Sequence, residues 1–389
     1  MIPLNPFSHR HAPSKVVFGE GVIARLAGEL AELGVRRPVL VAGARTAASP
    51  VYARVREAVA PLAFAELTGM REHSPLEQVL QLRELAREHR ADGFVAVGGG
   101  SASDACKAAA LWLAEGGELA DHATRFIPPD QLHAPPVAAP KLPIVAIPTT
   151  LSAAEVTGGG SVRTPDDRKI ILVDPKLAAR LVVIDPVQSL DVPAPIFLAS
   201  GMNGLAHCVE GYYSRVRTPI TSALALEAMR LFVDALPAVA SDPRSADARS
   251  KALVAAHLSG LVLLNARSCI HHAACHSLGA AAGVSHGDAN SIMLPHAMAF
   301  NAVDAGARAD LAACALALGA REATAQAAID RVKDLQRETG VPTRLRDRGV
   351  PRERLPAVAE RVMAEKGLYV NPRRVSSPQE VLEMLQAAW

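Results

Sequence analysis

Aromatic side chains are scarce in this sequence: Phe, Tyr and Trp make up 4% of its 389 residues. Because half of the residues are hydrophobic, we expect a core built mainly from Ala, Val and Leu. An excess of charge of one sign is also lacking, since the formal net charge is +2 at pH 7 and no Lys/Arg tract occurs. The charge therefore gives no reason to expect nucleic acid or an anionic membrane surface as a partner.

Long apolar runs and a signal sequence are missing as well. No run is long enough to span a bilayer, and residues 1–10 lack the basic, apolar and small-residue zones of a signal peptide. The five cysteines are an odd number without zinc-finger spacing. We therefore expect reduced thiols in a cytoplasmic protein that binds no membrane.

The first half of the chain alternates short apolar runs with amphipathic helical stretches. Continuous apolar strands separated by helices predict an α/β domain with a parallel sheet covered on both faces. Residues 158–173 predict a hairpin that turns at residues 164–167. The predicted strands of the sheet are Lys15–Gly19, Pro38–Ala42, Gly93–Val97, Pro143–Ile147 and Leu181–Asp185.

The second half of the chain is predicted to be helical. Strand signals end near Pro195, and helices are expected over residues 196–214, 218–240 and 246–264, with prolines between them. The length of the chain suits two domains. We therefore predict an α/β domain over residues 1–193 and an all-helical domain over residues 194–389.

A glycine-rich segment links a predicted strand to a predicted helix. Gly98, Gly99 and Gly100 would let backbone amides approach a ligand closely, and Ser101 can cap the helix that contains Asp104. A helix N-terminus suits a phosphate or pyrophosphate. The segment lacks the G-x-G-x-x-G pattern, so a simple tight turn is the alternative.

A second loop follows the strand that ends at Ile147. Thr149 and Thr150 should reach the same edge of the sheet, where open α/β sheets bind ligands. Their hydroxyls could contact a nucleotide, and Ser152 lies in the same loop. The alternative is that the loop only caps the next helix.

Histidines crowd the segment from Cys269 to Asn290. His272 and His276 are one helical turn apart and would share a helix face, and His271 and His286 lie close in sequence. Converging neutral imidazoles commonly bind a divalent transition metal. The alternative is a group of buried, hydrogen-bonded core histidines.

An upstream helix offers further ligands. Asn203 and His207 are four residues apart and share one face, with Glu210 about one turn further on. Together with His272 and His286, they could converge on one ion. The alternative is a polar, buried helix seam.

These motifs together resemble the iron-containing (group III) alcohol dehydrogenase family. They are GGGS-x-x-D, PTT-x-x-x-x-EVT, SGMN-x-x-x-H and HH-x-x-x-H followed by H-G-x-x-N-x-x-x-LPH, and the likeness extends from the opening V-V-F-G-E-G to Asn301. It implies a Rossmann-like α/β domain that binds a nicotinamide dinucleotide and an all-helical domain, the architecture shared with dehydroquinate synthase. A homodimer is expected by the same resemblance.

The resemblance also implies a role for each matching residue. The pyrophosphate would lie on residues 98–101 next to Asp104, with Thr149 and Thr150 beside the adenosine and nicotinamide portions. His276, the second catalytic candidate after His272, would lie beside the nicotinamide and the substrate carbonyl. The implied metal ligands are Asn203, His207, His272 and His286.

Two departures from the family pattern bear on the cofactors. The family's usual first metal ligand is an aspartate, and Asn203 is a much weaker donor to iron or zinc. Maleylacetate reductases, a metal-free branch, resemble the chain here, whereas the segment from His286 to Asn290 resembles the metal-dependent enzymes. Gly43 replaces an acidic residue common in NAD-preferring members, with Arg45 nearby, so NADP(H) is a candidate beside NAD(H).

The predicted function is reversible hydride transfer between NAD(P)(H) and a small alcohol or carbonyl substrate. The first alternative is a maleylacetate reductase, which reduces an unsaturated oxo-dicarboxylate and would need cations such as Arg163 and Arg267. A lyase of the dehydroquinate-synthase kind needs many basic residues, and residues 201–301 are poor in lysine. A catalytically silent binding protein is the remaining alternative.

Overall fold

The computed structural model describes residues 6–11, 13–127, 131–166 and 168–389, and the chain forms two compact units. The α/β unit consists of residues 11–125 and 132–192. The helical unit consists of residues 193–389 with parts of the segments 1–10 and 126–131. Two parts of the sequence-based predictions lie outside the described residues. They are residues 1–5 of the N-terminal segment 1–10, which was compared with a signal peptide, and Asp167 of the predicted hairpin turn.

The strands and helices are numbered in chain order. The strands are β1 (Lys15–Phe18), β2 (Pro38–Ala42), β3 (Ala65–Thr68), β4 (Gly93–Gly98), β5 (Arg125–Ile127), β6 (Gln131–His133), β7 (Ile144–Pro148), β8 (Gly159–Arg163), β9 (Lys169–Val173) and β10 (Leu181–Ile184). The helices of the α/β unit are α1 (Leu26–Glu32), α2 (Ala44–Ala47), α3 (Pro50–Val59), α4 (Leu76–His89) and α5 (Gly100–Glu115). Those of the helical unit are α6 (Ala194–Tyr213), α7 (Pro219–Ser241), α8 (Ala246–Ala266), α9 (Ile270–Ala282), α10 (His286–Asn301), α11 (Ala305–Cys314), α12 (Ala325–Thr339), α13 (Leu355–Val362), α14 (Gly367–Val370) and α15 (Pro378–Ala387).

The α/β unit is built on a parallel sheet. Within the described residues it has six strands in the order β1-β10-β7-β4-β2-β3, and all its pairs are parallel. The chain moves from β2 outward to β3 and then returns to β4 on the other side of β2. This reversal is a topological switch point, so the carboxyl ends of β2 and β4 form the edge where such sheets bind ligands.

Both faces of the sheet are covered, as predicted. Side chains of a strand alternate between faces, and in β4 Phe94 packs in one apolar cluster with Leu111 of α5, whereas Val95 packs in another with Leu30 of α1. The predicted hairpin is also confirmed, because β8 and β9 pair antiparallel.

The helical unit has the helices that the sequence predicts after residue 195. Thr218 caps α7 in a reciprocal capping box with Thr221, and Ser285 caps α10 by accepting from the backbone N–H of Asp288. Helices α6, α7 and α8 pack against one another, and α9 packs against α10 and α13. In the part of the chain described here, no single helix is long and apolar enough to cross a membrane, and α8 with α9 would qualify only as a pair bent by 102°.

Candidate active site

The loops predicted to bind a cofactor meet at one edge of the sheet. Strands β2, β4 and β7 are consecutive and parallel in the sheet, so three residues lie at its carboxyl edge: Gly98 ends β4, Gly43 follows β2 and Thr149 follows β7. The backbone N–H of Thr149 donates to the carbonyl of Gly98 over 3.1 Å. The prediction that the glycine-rich and threonine loops share an edge is confirmed.

The glycines of this edge lie against neighbouring loops. Gly98 has a φ of +124°, a conformation that L side chains rarely adopt. A Cβ at Gly99 would lie 3.3 Å from Thr150 Oγ1, and a Cβ at Gly100 would lie 3.6 Å from Ser152 Oγ. The backbone of residues 98–100 is therefore unobstructed by its own side chains, as close approach of a phosphate requires.

Ser101 does not cap the helix, contrary to the sequence-based expectation. Helix α5 begins at Gly100, two residues before the start that a Ser101 cap would give, with Gly99 as the cap residue. The hydroxyl of Ser101 instead accepts from the backbone N–H of His73 over 3.1 Å, and its carbonyl accepts from the hydroxyl of Ser74. Its side chain ties the loop after β3 to the start of α5.

Asp104 is bound to the hairpin. Its Oδ2 accepts from the backbone N–H of Ser161 over 3.0 Å, and its Oδ1 lies 3.8 Å from Nζ of Lys107. Burial raises the pKa of Asp104, although the side chain is 22% exposed, and burial lowers the pKa of Lys107. Nζ of Lys107 also donates to the carbonyls of Ala154 and Gly159, both over 2.6 Å.

Lys107 was not singled out from the sequence, although a lysine inside the Ala-rich stretch of residues 105–110 is a visible signal. It fixes the loop after β7 and the hairpin to α5. The predicted roles of Asp104, Thr149, Thr150 and Ser152 toward a cofactor stay predictions.

Gly43 lies between β2, which ends at Ala42, and α2, which begins at Ala44. A Cβ there would lie 3.2 Å from the carbonyl oxygen of Met70, which makes the position tight for any side chain. Arg45 follows on α2. Because residue 43 is a glycine, no acidic side chain follows the carboxyl end of β2 at this position.

The helical unit brings the predicted polar residues of α6 and α9 together. Asn203, His207 and Glu210 lie on α6 and are buried, as are His271 and His272 at the start of α9. The rings of His207 and His272 stack with centroids 4.7 Å apart. The polar face predicted for α6 therefore lies against the histidines of α9.

His272 is held at both ring nitrogens. Its Nδ1 makes a short hydrogen bond with Oε2 of Glu210, and its Nε2 lies 3.1 Å from Oδ1 of Asn203. Burial opposes ionisation of Glu210, but the neighbouring histidines outweigh it and lower the pKa of Glu210. Burial lowers the pKa of His272. We therefore assign a Glu210 carboxylate that accepts from Nδ1–H of a neutral His272, as carboxylates do behind metal-binding histidines.

This tautomer leaves a lone pair on Nε2 of His272, directed at Asn203. The two ends of an amide are assigned by their hydrogen bonds, so the amide NH₂ of Asn203 can face Nε2 and donate to it. An aspartate in the same place would present only acceptors. The asparagine thus satisfies a neutral His272 without any cation between the two groups.

Glu210, His271 and His272 have potential ligand atoms within 4.8 Å of one another, all buried. However, Oε1 of Glu210 accepts from the backbone N–H groups of Cys269 and His271, over 3.0 and 2.9 Å. Nε2–H of His271 donates to the carbonyl of Asn290 over 3.0 Å. These groups are occupied with one another, so we interpret the trio as the support behind His272 rather than as the ligand set.

The predicted ligand set, by contrast, fits a divalent cation, although weakly. Nδ1 of His207 is buried and has no hydrogen-bond partner among the residues that the structure describes. Burial, and then His272, lower the pKa of His207 well below its ordinary value, which keeps the imidazole neutral as a ligand must be. The ring of His286 lies 6.1 Å from that of His272. Asn203 contributes only a neutral amide oxygen.

His276 lies at the more exposed side of the cluster. Its ring stacks on that of His286 with centroids 5.7 Å apart, and its Nδ1 lies 3.4 Å from Oε2 of Glu365. Glu365 was missed in the sequence, because a contact across 89 residues leaves no local pattern. His276 therefore has the carboxylate partner that a proton-transferring imidazole needs.

Comparison with known proteins agrees with the arrangement. The family model described as "Iron-containing alcohol dehydrogenase" matches residues 13–186, and that described as "Fe-containing alcohol dehydrogenase family, C-terminal" matches residues 197–389. A maleylacetate reductase of Pseudomonas sp. (strain P51) is 34% identical over 94% of this chain and 93% of its own length.

Two further proteins represent the alcohol dehydrogenases. Alcohol dehydrogenase 4 of Schizosaccharomyces pombe is 29% identical over 94% of this chain and 86% of its own length. The crystal structure of a 1,3-propanediol oxidoreductase superposes with a TM-score of 0.91 at 26% identity and covers 99% of this chain and 100% of its own. Since the two family models together match most of the chain, this protein belongs to the iron-containing alcohol dehydrogenase family and is an oxidoreductase that acts on alcohol or oxo substrates.

Proposed function

We propose that this protein transfers hydride reversibly between a nicotinamide dinucleotide and the carbonyl or alcohol carbon of a small substrate. The observation that carries the proposal is the position of the buried His272 ring. Glu210 orients the ring through Nδ1, so that Nε2 faces the side chain of Asn203 while the ring stacks on that of His207. Because Nε2 of this tautomer carries a lone pair, His272 could hold a divalent cation, which would supply the stabilisation of the negative charge that develops on the oxygen of a reacting carbonyl.

The α/β unit supplies the hydride donor in this proposal. Backbone amides of residues 98–101 bind the pyrophosphate, and Thr149, Thr150 and Ser152 contact the rest of the dinucleotide. Support comes from the side-chain-free approach at Gly98–Gly100 and from the position of this loop at the switch point of the sheet. Gly43 lacks the carboxylate that repels a 2′-phosphate, so both NAD(H) and NADP(H) are accepted.

A divalent ion, iron or zinc, would be held by His207, His272 and His286, with Asn203 as a weak fourth ligand. When bound, it would supply Lewis-acid polarisation of the substrate oxygen. The side chains of the site have two further roles. Glu210 fixes the orientation of His272, and His276, whose partner is Glu365, holds and moves the proton at its ring nitrogens.

The direct test follows the absorbance of the reduced cofactor at 340 nm with a panel of aldehydes and oxo acids, using NADH and NADPH separately. The proposal expects oxidation of at least one cofactor and its loss in His276→Ala. The absence of both turnover and cofactor binding would refute it. Binding without turnover would instead support a catalytically silent protein.

A second function is favoured by the 34% identity to a maleylacetate reductase and by Asn203, which satisfies His272 without a cation. In that case the chain reduces an unsaturated oxo-dicarboxylate without a metal. Elemental analysis after native purification separates the two proposals. Stoichiometric iron or zinc favours the metal-dependent reaction, whereas activity that resists a chelator favours the metal-free one.

We further infer a cytoplasmic homodimer. The cysteines of the described chain are free and buried, which suits a reducing compartment. Strand β1 forms one edge of the sheet, and Val16 and Phe18 on it are 41% and 47% exposed. An apolar sheet edge suits pairing with a second copy of the chain. Light scattering of the purified protein measures the oligomeric state.

A further inference from the structure

The ammonium of Lys107 is buried inside the α/β unit. The residue is 1% exposed, and Nζ donates to the carbonyls of Ala154 and Gly159, both over 2.6 Å. Burial lowers the pKa of Lys107, and the carboxylates of Asp104 and Glu155 oppose that shift. Its neighbours on α5 are mostly alanines. Because desolvation of an ammonium is costly, the apolar core alone gives no reason for a lysine at this position.

The two carbonyls that Lys107 binds lie at the two ends of one short stretch of chain. Ala154 begins the 3-10 helix Ala154–Val156, and Gly159 begins β8. This stretch joins the threonine loop (residues 149–153) to the hairpin. Hydrogen bonds from a charged donor are stronger than those between neutral groups. One ammonium therefore fixes the stretch at both ends and ties it to α5.

The threonine loop is held at its two ends. At its start, the backbone N–H of Thr149 donates to the carbonyl of Gly98 over 3.1 Å. At its end, Lys107 holds the carbonyl of Ala154. Between these contacts, Ala153 has a φ of +55°, in the left-handed region that alanine rarely adopts. A strained residue of this kind persists only where its surroundings fix it, so the loop depends on the two contacts for its shape.

The end of the threonine loop lies against the glycine-rich segment. A Cβ at Gly100 would lie 3.6 Å from Cβ of Ala154 and 3.6 Å from Oγ of Ser152. The positions of these two residues therefore set the free space next to the backbone of Gly100. Since Lys107 holds the carbonyl of Ala154, a movement at Lys107 would change that space.

We propose that Lys107 is a positioning residue for the dinucleotide, because its two hydrogen bonds hold Ser152 and Ala154 in the arrangement that admits the pyrophosphate to the glycine-rich segment. Lys107 does not touch the cofactor and acts through the loop. The inference rests on the proposed function, since it names what sets the affinity for the cofactor. Without the ammonium, only a fraction of the molecules has a competent loop, and the dissociation constant rises by the inverse of that fraction.

The test is Lys107→Met, which is similar in length and has no hydrogen-bond donor. Fluorescence titration with NADH and with NADPH gives the dissociation constant of the cofactor that wild type binds more tightly. This constant should rise about tenfold in the variant, because the lost hydrogen bonds no longer favour the competent loop. The kcat at saturating cofactor should change by less than about twofold, since bound cofactor restores the loop.

Lys141→Met is the matched control. The side chain of Lys141 is 0% exposed, and its ammonium pairs with the carboxylates of Glu115 and Asp174. Glu115 is the last residue of α5, whereas the glycine-rich segment lies at the start of that helix. Both substitutions leave buried carboxylates without their cation, so both should lower the free energy of unfolding. Lys141→Met should nonetheless bind the cofactor as wild type does.

An unchanged dissociation constant in Lys107→Met would overturn the inference and leave the proposed function standing. An equal rise in both variants would assign the effect to lost stability and would overturn it as well. If wild type binds neither NADH nor NADPH, the proposed hydride transfer fails and the inference fails with it. Should Lys107→Met not fold, Lys107→Gln takes its place. Its amide is too short to reach both carbonyls, so the dissociation constant should still rise, and a wild-type value would refute the role of Lys107.

Discussion

The carboxylate of Glu210 accepts a hydrogen bond from Nδ1 of His272, a ring that stands 62 residues further along the chain. The same carboxylate accepts from two backbone N–H groups at the start of α9, those of Cys269 and His271. One buried anion thus fixes both the beginning of a helix and the tautomer of the histidine that the helix presents.

The first prediction is that Glu210→Gln lowers both activity and stability. The amide has one acceptor oxygen in place of two charged ones, so one buried donor at His272 or in the α9 backbone loses its partner. We expect a loss of about 2 kcal/mol in the free energy of unfolding and a fall of about 10- to 100-fold in kcat/KM. Chemical denaturation and cofactor absorbance measure the two effects.

Glu365→Gln is the comparison for this variant. Glu365 is 30% exposed and contacts one histidine, so its loss should change the free energy of unfolding by less than about 0.5 kcal/mol while it alters proton transfer at His276. Equal stability losses in the two variants would contradict the role assigned to Glu210.

Much of the α/β unit could be predicted from the sequence because its strands are continuous apolar runs bounded by turns. The strand ends then fixed where Gly43, Gly98 and Thr149 lie, since parallel neighbours share an edge. The same reasoning failed at Ser101, whose hydroxyl has a tertiary partner in the backbone of His73. A serine near a helix start can either cap the helix or bond a backbone group elsewhere in the chain, and only the packing of the loop after β3 decides between the two.

The sequence predicted which residues of the helical unit form the site, but not which hydrogen bonds join them. Helical spacing put Asn203 and His207 on one face and His272 and His276 on another, as found. It could not reveal that Glu365 backs His276, because that pair depends on how the segment after α13 packs on α9. Nor could it tell that Glu210 orients His272, since spacing along a helix does not identify the partner on another helix.

The second prediction separates cofactor binding from folding at two adjacent glycines. Gly99→Ala places a Cβ 3.3 Å from Thr150 Oγ1 at an ordinary φ of −93°, so the fold should tolerate it. The methyl group covers the backbone amides, and the dissociation constant of NAD(P)H should rise at least about tenfold. Fluorescence titration with the reduced cofactor measures it.

Gly98→Ala should behave differently, because the φ of +124° strains any L side chain. We expect the free energy of unfolding to fall by about 1–3 kcal/mol. If Gly99→Ala binds the cofactor as tightly as wild type, the loop does not hold the pyrophosphate.

The third prediction concerns acid stability through His296. Burial, and then Lys333, lower its pKa to about 4, so the folded protein prefers the neutral ring. A group whose pKa is lowered by folding supports the fold above its ordinary pKa of about 6.5 and loses that support as the pH falls toward 4. The loss between pH 7 and pH 5 should be about 2 kcal/mol.

Arg373, Glu380 and Glu383 line the same cavity of about 190 Å³ as His296. In His296→Gln, the dependence of the free energy of unfolding on pH between 7 and 5 should therefore be shallower by that amount. His133→Gln, at an exposed position, is the control and should follow wild type. Parallel curves for wild type and His296→Gln would show that the ring does not titrate as described.

The last prediction is that Asn203→Asp converts a weak cation site into a stronger one. A carboxylate oxygen 3.1 Å from Nε2 of a neutral His272 would place two hydrogen-bond acceptors in contact, where their lone pairs repel. A divalent cation or a proton between them relieves the repulsion. Affinity for zinc or iron should rise about 10- to 100-fold. In a chelator the variant should be less stable than wild type by about 2 kcal/mol, and zinc should restore that stability. Asn203→Ala removes the ligand without adding charge, so it should show neither the chelator sensitivity nor the gain in affinity. An aspartate variant with the metal content and chelator response of wild type would mean that these imidazoles do not converge on an ion.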